Sequence, residues 1–313
     1  MMQILALNAI AAMLPTRSEQ SHKASFGHVF NVAGSINYPG AAYLSSISAL
    51  RVGAGYVTLA SSLLVCQRVA AQSPDLVFLP LPSVHEAAND FLPSESAAQI
   101  LSQLKRVNTK LCSMSIGSGL GRIAQTARVA DEAHTDNYAF FCALLHGLQQ
   151  ETLPIVLDAD GLNFLSRKPL TLPENCLLTP HPKELSRLLA VSVAHIQADR
   201  VKYAQQAALQ FNAIVVLKGA NTVITDGKRV FINPTGNSAL AKAGTGDVLT
   251  GMITGFCAQG VSPLNAACLG VYLHGLAGDI AALALSPYSM LASDLINFIP
   301  KALIRVLQAK YQN

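Results

Sequence analysis

Short apolar and β-branched runs at 29–33, 56–60, 76–79, 111–116, 155–158 and 214–218 alternate with segments of helical spacing at 41–51, 97–105, 125–149 and 192–211. The runs are continuous rather than alternating, as expected of strands covered on both faces. Strand–helix alternation of this kind predicts right-handed crossovers and a mostly parallel central sheet with helices on both faces, an α/β fold. Past residue 220 the pattern changes. Segments 221–225 and 229–232 flank the turn pair Asp226-Gly227, which predicts a β-hairpin. Gly- and Ala-rich helices are predicted after it at 245–259, 263–285 and 292–308. There is no internal repeat or linker, and the Pro/Ser-containing stretch 81–96 reads as a surface excursion, so a single domain over 1–313 is expected.

Composition narrows the function classes. Hydrophobic residues make up 51% of the chain and charged residues 13%, which fits a well-buried core and excludes disorder. The net charge of +4 is spread without a Lys/Arg run, so a nucleic-acid partner is not expected, whereas an anionic small substrate is compatible. The six cysteines are far apart, with no CxxC pair. They are expected to be buried free thiols of a cytoplasmic protein, without a zinc site. Two apolar stretches could be mistaken for membrane elements. Residues 1–14 lack a basic lead and a small-residue cleavage site, and 264–285 contain His274 and Asp279. A buried helix is the expectation for the second, and no membrane span is predicted.

The most informative motif is Gly244-Thr245-Gly246-Asp247, followed at once by an apolar helix. Glycines permit a tight turn, and the first amides of a helix have no intrahelical acceptor, so the loop can hold a transferring phosphoryl group. Asp247 is placed to reach a substrate hydroxyl beside it. A plain turn with a favourable N-terminal carboxylate explains the same four residues about equally well. The helix N-terminus is expected to lower the Asp247 pKa, which favours phosphoryl transfer over simple proton abstraction. Lys218, Gly219, Ala220, Asn221 and Thr222 end an apolar strand, where a cation and exposed amides can meet a nucleotide phosphate. Asp158 and Asp160 follow another strand, where carboxylates could hold magnesium-bound water. His181 stands between Pro180 and Pro182 after a third. The loop 32–42 has neither dinucleotide-fingerprint spacing nor a Walker lysine, which disfavours a Rossmann-type NAD site, and 117–121 is another glycine loop after a strand.

In order, these segments resemble the NAD(P)H-hydrate dehydratase family of the ribokinase-like superfamily. The resemblance runs from Leu14 to the C-terminal helices. It is carried by Leu14-Pro15-Thr16-Arg17, Ser21-His22-Lys23, Gly27-His28-Val29, Gly34-Ser35, 38–44, 49–55, 117–121, 158–163, 179–184, 218–222 and 236–247. Ala24 and Ala243 stand where the family commonly has glycine, and Ser118 where proline is common. The resemblance implies a three-layer ribokinase-like fold and nucleotide-dependent dehydration of NADHX or NADPHX to NAD(P)H in metabolite repair. It implies ADP (or ATP) as phosphate donor, Mg2+ as cofactor and a homotetramer. Because only a short lead precedes Leu14, NAD(P)H-hydrate epimerase activity is expected on a separate partner. By residue, Asp247 would be the base, and Gly244, Thr245 and Gly246 would hold the phosphoryl group. Lys218, Gly219, Ala220, Asn221, Thr222 and Gly246 would bind the nucleotide. Ala41, Gly119, His181 and Asp247 would line the substrate site, and Glu184 would order magnesium through water.

Two other readings remain. A small-molecule kinase of the same superfamily, acting on a vitamin precursor or sugar, would share the phosphoryl loop but stop at the phosphorylated product. A non-catalytic nucleotide-binding protein would have no use for Asp247.

Overall fold

A computed structural model describes residues 2–86, 89–107, 111–121, 137–168 and 170–311. In chain order the strands are β1 (Met2–Ile4), β2 (His28–Val32), β3 (Tyr56–Ser62), β4 (Val77–Leu81), β5 (Val84–Glu86), β6 (Asn89–Phe91) and β7 (Cys112–Ile116). They continue as β8 (Ile155–Leu157), β9 (Cys176–Leu178), β10 (Ile214–Leu217), β11 (Val223–Thr225) and β12 (Val230–Ile232). The helices are α1 (Leu7–Met13), α2 (Pro39–Arg51), α3 (Leu63–Ala70), α4 (Ser96–Arg106), α5 (Tyr138–Gly147) and α6 (Asp160–Leu165). After them come α7 (Pro182–Leu189), α8 (Val193–Ala198), α9 (Arg200–Phe211), α10 (Thr245–Ala258), α11 (Pro263–Ser289) and α12 (Ala292–Tyr311).

Ten strands form one sheet in the order β1-β12-β11-β10-β9-β8-β7-β2-β3-β4, while β5 and β6 pair separately. Among the described residues, only the β10–β11 and β11–β12 pairs in the large sheet are antiparallel. The expected hairpin is therefore present, and Asp226 closes it by accepting the amides of Lys228 and Arg229. Neighbouring strand residues face opposite layers: Val29, Leu177 and Val216 pack with α2, α10, α11 and α12. Phe30, Leu178 and Val215 pack with α4, α5, α7 and α9 on the other face. This period of two between two helical layers is why the strands read as unbroken apolar runs.

The structure differs from the pattern reading in places with local causes. The segment 192–211 divides at Asp199, whose side chain accepts the Lys202 amide and starts a new helix. The 263–285 helix runs on to Ser289 across a break at Ser286, ahead of Pro287. Residues 1–14, assigned no element above, supply the edge strand β1, parallel to β12, and α1. The first part of the expected helix 125–149 lies outside the described residues, and α5 is its described portion. Helix α11 is long and apolar enough to cross a membrane by composition, yet it lies mostly buried in the helical layer.

Helix α10 crosses the middle of the sheet at close range because its seam with α2 is built from small residues. A Cβ on Gly251 would stand 2.0 Å from the Ser45 carbonyl oxygen, and one on Gly255 2.7 Å from that of Ala49. Beneath the seam, Asn31 Nδ2 donates to Ser45 and Ser46 Oγ at 2.8 Å, and Ser115 Oγ donates to Asn31 Oδ1 at 2.9 Å. Gly251→Ala is expected to destabilise the protein by about 2–3 kcal/mol, because backbone must move. Gly40→Ala, where nothing lies within 4 Å of the added carbon, is expected to shift stability by less than ~1 kcal/mol in the stabilising direction. Urea denaturation of both variants checks the contrast.

Candidate active site

Because β2, β7, β8, β9 and β10 run parallel, the loops that follow them emerge at one edge of the sheet. These loops brace one another. Gly34 N donates to Ser118 O at 2.8 Å, Ser35 Oγ to Gly119 O at 2.9 Å, and Gly121 N to Asp160 Oδ2 at 2.9 Å. A Cβ on Gly119 would lie 2.7 Å from Ala41 Cβ, so two of the expected substrate-lining residues meet directly.

Asp158 is the buried hub of this edge. Its Oδ1 accepts from Lys218 Nζ at 2.7 Å and Thr179 Oγ1 at 2.8 Å, and its Oδ2 accepts from Thr250 Oγ1 at 2.8 Å. Burial pushes its pKa up, but Lys218 and the three hydrogen bonds outweigh that and hold it below the usual carboxylate range. Lys218 is largely withdrawn from solvent. Burial works against its charge, while Asp158 and Glu184, whose Oε2 is 3.9 Å away, raise its pKa above the ordinary value. Ala159, between the two aspartates, takes φ 47° and ψ −112°, a sparsely populated conformation for a side-chain-bearing residue. Asp160 does not join the hub; it accepts from Gly121 N and Asn163 Nδ2.

His181 caps α7. Its Nδ1 accepts the amides of Lys183 and Glu184 at 3.1 Å, and Glu184 Oε2 returns the favour by accepting the His181 amide at 2.8 Å. An accepting Nδ1 places the ring proton on Nε2. Burial, followed by the charges of Lys218 and Arg187, lowers the His181 pKa to about 4, so the ring is neutral at pH 7. Glu184 is pushed upward, chiefly by burial. Its carboxylate is thus partly committed to the cap. Among the described residues no three His, Cys, Asp or Glu side chains converge as a metal cage. A lone half-committed carboxylate of this kind is suited to a hydrated magnesium ion held mainly by other oxygen ligands, not to a protein-built cage.

Gly244 opens α10 at φ 91°, a conformation that glycine reaches without strain. The Thr245 amide is turned toward Lys242 O at 3.4 Å, so Gly246 and Asp247 supply the freer first-turn amides. Thr245 Oγ1 ties back to Leu240 O and Lys242 O, and buried His274 Nε2 holds Thr245 O at 2.8 Å. In front of this turn lies a cavity of about 790 Å³. Lys218, Gly219, Ala220, Asn221, Thr222 and Gly246 all line it, as does His181. Ala41, Gly119 and Asp247 are not in its wall. His181 therefore sits with the expected nucleotide residues rather than with the other expected substrate residues.

The Asp247 pKa reverses an expectation. Its carboxyl is raised to about 7, first by burial and then by the charge of Asp158, with Asp160 adding to the effect; Ser118 and Lys218 pull it back only in part. Desolvation thus overrides the helix N-terminus, and Asp247 is a stronger base than the sequence suggests. Sequence reasoning missed the arc Asn233, Thr235, Asn237 and Ser238 as cavity wall, and the anchoring roles of Thr179, Thr250 and His274. The one signal for His274 was a polar residue within an otherwise apolar helix.

The chain matches a family model described as NAD(P)H-hydrate dehydratase over residues 29–301. A bifunctional NAD(P)H-hydrate repair enzyme of Moorella thermoacetica is 38% identical over 93% of this chain and 52% of its own length. An ADP-dependent (S)-NAD(P)H-hydrate dehydratase of Neisseria meningitidis is 34% identical over 84% of this chain and 80% of its own. The crystal structure of an ADP/ATP-dependent NAD(P)H-hydrate dehydratase from Bacillus subtilis, co-crystallized with ATP/Mg2+, superposes with a TM-score of 0.79. It is 28% identical, over 97% of this chain and 98% of that one. The chain spans about half the length of the first curated relatives it matches.

Two stability outcomes follow from the site. Lys218→Met leaves Asp158 buried and uncompensated and is expected to cost about 3–5 kcal/mol at pH 7, with Asp158→Asn in the same chain restoring part of it. A double-mutant cycle in urea measures the coupling. For Asp247, the folded protein keeps a proton between pH ~4 and ~7 that the unfolded chain has lost, so this group's contribution falls as pH rises through that window. Asp247→Asn is expected to remove that slope and to be more stable than wild type by about 2 kcal/mol at pH 8. Unfolding curves at pH 5 and pH 8 check it.

Proposed function

Because the chain belongs to the NAD(P)H-hydrate dehydratase family, we propose that it uses ADP to return the S form of NAD(P)H-hydrate to NAD(P)H, releasing AMP and phosphate. One observation carries the reading. A carboxylate with a pKa near 7 stands in the first turn of a helix whose amides and neighbouring lysine border a nucleotide-sized cavity.

Water added across the nicotinamide C5=C6 bond leaves a C6 hydroxyl, and hydroxide is a poor leaving group. Asp247 takes the proton of that hydroxyl as its oxygen bonds to the terminal phosphorus of the donor. The Gly246 amide, in a turn shaped by Gly244 and Thr245, stabilises the charge on the transferring group together with the Asp247 amide. Lys218 gives one N–H to Asp158 and has others for the donor phosphates, while Gly219, Ala220, Asn221 and Thr222 hold the nucleotide. Magnesium, when bound with the nucleotide, supplies neutralising charge, with Glu184 meeting it through water. The ring nitrogen then expels phosphate by donating its lone pair, and loss of a C5 proton restores the double bond. Ala41 and Gly119 wall the dinucleotide, and neutral His181 borders donor and acceptor.

The proposal includes a single dehydratase domain over 1–313, assembled as a cytoplasmic homotetramer. An NAD(P)H-hydrate epimerase activity would be its functional partner; longer relatives that are named bifunctional support a second repair activity alongside this one. With hydrated NADH, magnesium and ADP, near-ultraviolet absorbance of NADH is expected to return. kcat/KM should rise with pH through about 7 as Asp247 loses its proton. Asp247→Asn should lower kcat at least ~10²-fold. A phosphorylated product accumulating without NADH recovery would instead identify a kinase, and nucleotide binding without turnover a binding protein.

A further inference from the structure

Ser118 is 2% exposed, and its Oγ makes no hydrogen bond of ordinary geometry to any described residue. Buried hydroxyls are ordinarily paired, so an unpaired one at the rim of an active site calls for an acceptor. The loop that carries it is held on several sides. Its carbonyl accepts Gly34 N at 2.8 Å, and Gly119 O accepts Ser35 Oγ at 2.9 Å. At Gly117 the chain lies so close to Asp158 that a Cβ would stand 2.0 Å from the Asp158 carbonyl oxygen. The backbone is therefore fixed and the hydroxyl is free only to rotate. The carboxylate it faces is Asp247, and the hydroxyl favours that group's charged form.

We propose that Ser118 is a positioning residue for Asp247: its hydroxyl donates to one carboxylate oxygen and leaves the other directed at the substrate hydroxyl. This rests on the assignment of Asp247 as base. The need for such a donor follows from the charges around Asp247. Asp158 at the end of β8 and Asp160 at the start of α6 oppose its ionisation; Lys218 at the end of β10 favours it but is engaged by Asp158 and Glu184. Burial adds to the opposition. Ser118 is the neutral donor in this set, able to stabilise the carboxylate without drawing it into an ion pair. A lysine in its place would form that pair and quench the base. A hydroxyl orients it and leaves it basic.

The test compares Ser118→Ala, Ser118→Gly and Ser118→Thr in the full chain. The alanine variant should move the acid limb of kcat/KM upward by about one pH unit and lower kcat about tenfold at pH 7, with the KM for ADP within about twofold of wild type. The threonine variant, which keeps the hydroxyl, should restore both. Carboxyl 13C NMR of Asp247 in the free enzyme, assigned with Asp247→Asn, reads the same shift without turnover. An Asp247 titration unchanged in Ser118→Ala would overturn the proposal, as would a rate loss that threonine does not rescue. Should the alanine variant not fold, the glycine variant removes the same hydroxyl. If wild type never regenerates NADH, the dehydratase reading fails, and the NMR comparison still decides the role of Ser118.

Discussion

The ion pair between Lys218 and Asp158 is the contact on which the rest of the site depends. At 2.7 Å, with Thr179 and Thr250 completing the Asp158 shell, it joins the ends of β8, β9 and β10 to the second turn of α10. A buried ion pair is a poor source of net stability, since desolvation cancels much of the attraction. Its value here is geometric. Four elements far apart in sequence must all be in register before the pair can form, and once formed it fixes where the α10 N-terminus faces the cavity.

That register needs α10 to lie very close to the sheet, and the small-residue seam with α2 allows it. Gly251 and Gly255 let the helix approach backbone to backbone, while Asn31, Ser45, Ser46 and Ser115 pair the polar groups that such close packing buries. A larger residue at Gly251 would lift the helix and draw Thr250 away from Asp158. Packing in the middle of the molecule and charge at its edge are thus one problem. This explains how a layer rich in apolar residues can end in a cluster of charged ones.

The strand edge was legible in sequence because each loop carries its own punctuation. Gly117, Gly119, Pro180 and Gly219 marked turns after apolar runs, and parallel topology alone was enough to put them side by side, while Gly244 announced itself by the apolar helix that follows it. The cavity lining from Lys218 to Thr222 followed from the same logic. Features set by long-range contact were not legible. The break at Asp199 was a local cap hidden inside a helical pattern, and β1 exists only because β12 is there to pair with it. His274 and Thr250 acquire meaning only when α10 and α11 are packed. The Asp247 pKa failed for the same reason, as a helix N-terminus is visible in sequence while desolvation and a neighbour at residue 158 are not.

The two carboxylates show what that packing accomplishes. Asp158 and Asp247 share one edge, yet their surroundings drive them in opposite directions. Asp158 receives the lysine and two hydroxyls and stays ionised, whereas Asp247 receives burial and the field of Asp158 and titrates near 7. Such a split lets one site hold a permanently ionised carboxylate beside one that titrates near neutrality. The order of assignment matters. If Lys218 were free to pair with Asp247, that carboxylate would be fixed as an anion and lose its basicity. By committing the cation to Asp158, the structure keeps Asp247 poised, and it leaves the remaining lysine protons at the mouth of the cavity. Through Asp158, Lys218 thereby governs the pKa of a residue it does not itself pair with.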